Sequence, residues 1–88
     1  MMVPSIHLNG TSRTELLNEQ LNILQALRLA RAAMITASPN GRDYYPQGAG
    51  AHTKAQDEHT ERVRAIEGVL AKVEALAMAI SDGGHRPS

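Results

Sequence analysis

The chain has no cysteine, no tryptophan and no phenylalanine among its 88 residues. Without cysteine, neither a disulfide nor a thiolate metal site can staple a small fold. An oxidising compartment gains no support from that absence, so the cytoplasm is the expected location. Charge of either sign is not in excess: nine Lys and Arg stand against nine Asp and Glu, for a formal net charge of zero. The basic footprint of a DNA-, RNA- or membrane-binding protein is therefore missing, and none of these is an expected partner. Balanced charge also removes self-repulsion, which suits a chain that associates with itself. Long hydrophobic runs are lacking too, since the weakly polar stretch Ala32–Ala37 is far too short to cross a bilayer. Met1-Met2-Val3-Pro4 carries no basic segment ahead of an apolar run and does not read as a signal peptide.

What is present is helical. A first helix is expected over residues 12–37, opened by Ser12 and Glu15 at capping-box spacing and stopped by Ser38-Pro39. A second is expected over residues 53–81, opened by Thr53 and Gln56 and closed by Asp82-Gly83-Gly84. Residues 1–11 read as a short strand or extended arm, from the alternation Ser5-Ile6-His7-Leu8. Residues 38–52 read as a loop and 82–88 as a disordered tail.

Apolar spacing sets the expected packing. In helix one, Leu16, Ile23, Leu27, Ala30, Met34 and Ala37 form one seam, interrupted by Gln20. Leu17, Leu21, Leu24 and Ile35 form a second seam beside it. Helix two carries Val63, Ile66, Leu70, Val73, Ala77 and Ile80, widened by Val69 and Leu76. Steps of three and four match antiparallel coiled-coil packing. The expected fold is all-α: an antiparallel helical hairpin in one domain. Two seams exceed what one partner helix covers, so a homo-oligomeric bundle is expected, a dimeric four-helix bundle at minimum. A small-residue face, Ala65, Gly68, Ala71 or Lys72, Ala75 and Ala79, has two readings. Gly68 either permits close helix approach or is simply tolerated in the open.

The only two aromatic residues, Tyr44 and Tyr45, sit side by side in the connector Pro39-Asn40-Gly41-Arg42-Asp43-Tyr44-Tyr45-Pro46-Gln47-Gly48. In a hairpin, the end of helix one lies beside the start of helix two. That places Arg31 level with His59 and Arg62, and Arg28 a turn further down. With Arg42, Asp43, Tyr44, Tyr45 and Lys54 they would line a basic, aromatic pocket at the loop end. Arginine forks match phosphate oxygens, and tyrosine faces stack on bases, so a phosphorylated nucleotide suits the set. The competing reading is a neutralised network, with Asp43, Asp57, Glu58 and Glu61 pairing the cations. The tyrosines likewise either bind a ligand or cover the hairpin end. His7, His52 and His59 lack the spacing of a metal site, so no metal or other cofactor is expected. No nucleophile–base pair has a catalytic context, and Asn40-Gly41-Arg42 is too short for a phosphate loop, so no enzyme activity is expected.

His7-Leu8-Asn9-Gly10-Thr11-Ser12, the loop Pro39–Gly48, and His59 with Arg62 resemble small helical proteins encoded by tailed bacteriophages and prophages. The resemblance covers most of the chain and implies an origin more than an activity. In architecture alone the chain is similar to phage sponge proteins, helical oligomers that sequester the cyclic-nucleotide signals of bacterial defence. That analogy carries over no binding residue. Two functions follow as expectations. One is a non-enzymatic, oligomeric sponge for a phosphorylated nucleotide, and the other is an interaction protein docking through the Tyr44-Tyr45 loop.

Overall fold

The computed structural model describes residues 1–6 and 10–82. Among them are two long helices, α1 (Arg13–Thr36) and α3 (Ala51–Asp82), separated by the single-turn α2 (Gly41–Tyr44) and a 3-10 turn (Tyr45–Gln47). There is no strand among the described residues. Residues 1–6 are exposed and carry no regular structure. The Gly83-Gly84 cap, the tail, and His7 in the arm lie outside the described residues.

Each boundary has a local cause. Ser12 caps α1 by accepting from the Glu15 backbone N–H at 3.1 Å, which satisfies one of the four amides a helix start leaves orphaned. At the other end the Ser38 hydroxyl donates to the Ile35 carbonyl at 2.7 Å, just before Pro39. Asn40 then caps α2, accepting from the Arg42 N–H at 2.9 Å. The expected loop is thus partly helical, because Asn40-Gly41 serves as a helix start instead of a tight turn.

The second long helix begins earlier than Thr53. Gly48 and Gly50 have φ of +98° and +85°, a backbone that glycine adopts without a Cβ clash. They turn the chain so that the Gly50 carbonyl accepts from Lys54 N–H at 3.0 Å and the helix starts at Ala51. Thr53 lies inside the first turn and caps nothing.

α1 and α3 pack along a stripe that differs from either expected seam of helix one. Leu17, Gln20, Leu24, Leu27, Arg31 and Met34 are its buried and half-buried positions, spaced by three and four. Leu21, Ile23 and Ile35, expected on a seam, are exposed. The stripe runs between the two expected seams and takes in Arg31, a half-buried position whose guanidinium bonds Glu67 of α3. On α3 the seam Val63, Ile66, Leu70, Val73, Ala77 and Ile80 is half-buried or buried throughout. Leu24, Leu70 and Ala77 form the core cluster, with Leu17, Leu27 and Val73 against it.

Gly68 stands in open space, with nothing within 4 Å of where a Cβ would sit. Close helix approach within the chain therefore does not explain it. Gly68→Ala is expected to stabilise the protein by about 0.5–1 kcal/mol, through helix propensity alone. A urea midpoint that moves down would show that something packs on that position.

Candidate functional site

The register between the long helices decides what gathers at the loop end. Arg31 pairs with Glu67, its terminal nitrogen at 2.7 Å and its Nε at 2.9 Å from the same carboxylate oxygen. Arg28 approaches Glu74 at 3.9 Å. Advancing along α1 therefore means retreating along α3, and the end of α1 lies level with about residue 64 of α3. The first dozen or so residues of α3 run past α1 and are flanked instead by α2 and the 3-10 turn.

This corrects the expected placement of two arginines. Arg31 lies level with Glu67, about 22 Å along α3 from His52, and Arg28 lies further still. Neither is level with His59 or Arg62. Their partners are Glu67 and Glu74, not the carboxylates near the loop in sequence. Both pairs are substantially solvent-exposed, so each contributes about 0–1 kcal/mol.

At the loop end itself, α2 and α3 are joined through His52. Its Nε2 donates to the Pro39 carbonyl at 3.1 Å. A carbonyl only accepts, so this bond fixes the proton on Nε2. The His52 ring stacks on Tyr44, with centroids 6.2 Å apart and planes inclined by 20°. Tyr44 is thereby half-buried as a structural ring, while Tyr45 next to it is 86% exposed. The Gly48 turn immediately follows the 3-10 turn that carries Tyr45.

An open groove of about 490 Å³ lies here, with Gly41, Tyr44, Tyr45, Gly48, His52 and Thr53 among its walls. No arginine, lysine or carboxylate lines it. Arg42, Asp43, Lys54 and Arg62 are all exposed, and none has an ion-pair partner among the described residues. His59 is half-buried with its Nε2 shielded from solvent and unpartnered, as is the Nε of Arg13 at the start of α1. Among the described residues no three His, Asp or Glu side chains converge as metal ligands. None of the helices among the described residues is long and apolar enough to cross a membrane.

Of the nine residues expected at the site, the structure brings Tyr44 and Tyr45 to one groove, with Arg42 and Asp43 on the same short helix. Arg28 and Arg31 are elsewhere. His52, which sequence reasoning weighed only as a metal ligand, is the residue that organises the loop. Its signal was position: the first turn of a helix entered through Gly48 and Gly50, facing a tyrosine-bearing loop. The chain matches no protein-family model, and no curated protein or solved structure matches it.

Proposed function

We propose that this chain is a non-enzymatic interaction protein of tailed-phage type, an antiparallel helical hairpin that self-associates and docks on a partner protein through the Tyr44-Tyr45 loop. One observation carries the reading: Tyr45 is 86% exposed on a short helical turn whose neighbour Tyr44 is pinned by His52. A large ring held out on an ordered support loses little conformational entropy on binding and buries much area, which is how interface anchors work. Arg42 and Asp43 flank it as exposed, unpaired charges suited to a polar rim.

The sponge reading keeps one point in its favour, a groove whose volume falls within the range of small-molecule sites. It loses its phosphate clamp, because no cation lines the groove and Arg28 and Arg31 are paired with glutamates far from it.

A photo-crosslinking amino acid at position 45 discriminates the two in lysate of phage-infected bacteria. The expected result is a discrete adduct of protein mass, absent when the same label sits at the exposed Met78. Recovery of a released nucleotide from the native protein, with no protein adduct, would overturn the docking reading.

A further inference from the structure

The two broad sides of the α1–α3 pair differ in chemistry. Residues advance by about 100° around a helix. By that step, Arg28 on α1 and Glu67 and Glu74 on α3 fall on the like-handed flank of their contact stripes. The ion pairs hold those flanks together on one side of the molecule, where the exposed Leu21, Ile35 and Met78 are interspersed with the charges. The opposite flanks therefore share the other side. They carry Leu16, Ile23 and Ala30 from α1 and Val69 and Leu76 from α3. The register sets Ile23 beside Leu76 and Ala30 beside Val69. Charged residues enter this side only at the loop end, as Glu58 and Arg62. Ile23 and Val69 are 43% and 47% exposed, although they are branched aliphatic side chains that normally seek cover.

We infer that this Ile23–Ala30–Val69–Leu76 face is the self-association surface, and that its occupant is the same face of a second copy. The inference rests on the oligomer proposed above and names its interface. Area supports it. The overlapping parts of the helices form a strip about 28 Å long and about 20 Å wide, two helix diameters of about 10 Å each. That is roughly 600 Å² per copy in flat projection, or roughly 1,200 Å² for a pair, where stable specific interfaces begin. Self-pairing needs no charge complementarity here, because the face is neutral along most of its length and the chain has no net charge. A two-fold axis would give a four-helix arrangement with the ion pairs facing water.

The test is a matched pair of substitutions at exposed alanines of α1. Ala30 lies on the apolar face and Ala33 on the outer side of the helix, so neither change removes a packed side chain. In sedimentation and native mass spectrometry, the unmodified protein is expected at twice its 9.5 kDa mass or a higher multiple. Ala30→Glu is expected to weaken self-association at least about 100-fold, since it places an unpaired charge in the interface. Ala33→Glu is expected to leave it unchanged. Helix content by circular dichroism checks folding. Should Ala30→Glu lose helix, Val69→Ser tests the same face at a side chain already half in water. A monomeric unmodified protein, or equal behaviour of the two alanine variants, overturns the inference. An Ala30→Glu monomer that still crosslinks through position 45 would separate this face from the docking loop.

Discussion

Leu24→Ala is expected to cost about 2–5 kcal/mol, the range for emptying a buried leucine site. Leu24 is 3% exposed and forms the core cluster with Leu70 and Ala77 of α3, against which Leu17, Leu27 and Val73 pack. Marginal stability of roughly 0.05–0.15 kcal/mol per residue sets the scale. A chain of 88 residues then has about 4–13 kcal/mol in total, and few of its described side chains are buried. Losing 2–5 kcal/mol therefore removes a large share, and the variant is expected to lose most of its helix at moderate urea. Leu29→Ala is the control: Leu29 is 67% exposed, and its truncation should move the midpoint by about 0.5 kcal/mol or less. Both are read by far-ultraviolet circular dichroism at several protein concentrations. Self-association raises apparent stability by mass action, so the concentration dependence separates loss of the core from loss of the oligomer. Equal midpoints for Leu24→Ala and Leu29→Ala would mean that the helices do not pack on this stripe.

How far these features could be read from the sequence differs along the chain. The start and stop of α1 were legible because Ser12, Glu15 and Pro39 act through neighbours three or four residues away. The seam of α3 was legible for the same reason, being a matter of spacing alone. The start of α3 was not. Thr53 and Gln56 mimic a cap, and nothing in their identity reports that Gly48 and Gly50 have already turned the chain. The stripe on α1 was obscured because Gln20 and Arg31 look polar, yet Arg31 joins it through its bond to Glu67. The largest miss, the position of Arg28 and Arg31, follows from the connector. A loop of unknown shape leaves the register of two helices free to slide. Here the helical turn Gly41–Tyr44 and the early start at Ala51 carry α3 past the end of α1. Slippage by two turns moves every expected pairing while keeping each helix intact. The tyrosines survived that slip because they belong to the loop itself.

Gly48→Ala is expected to cost about 1–3 kcal/mol and to disorder the docking loop ahead of the helices. Gly48 has φ of 98° and ψ of 177°, a region that only glycine occupies without strain. Nothing lies within 4 Å of where its Cβ would sit, so the cost is backbone strain and not a clash. A residue with a side chain is expected to relax toward negative φ, and that rotation swings the 3-10 turn bearing Tyr45 relative to the start of α3. The His52–Tyr44 stack and the His52 bond to Pro39 bridge the same turn and would be strained together. The distinguishing readout is local. Amide exchange over residues 40–52 should accelerate strongly in Gly48→Ala, while exchange at Leu24 and Leu70 follows only the global loss. Position-45 crosslinking should fall in parallel, although no side chain of the docking surface has been altered. Gly68→Ala, the same substitution in the open middle of α3, should instead raise stability and leave the crosslink intact. If Gly48→Ala keeps both the exchange pattern and the crosslink, Tyr45 does not depend on the ordered support that the docking proposal requires.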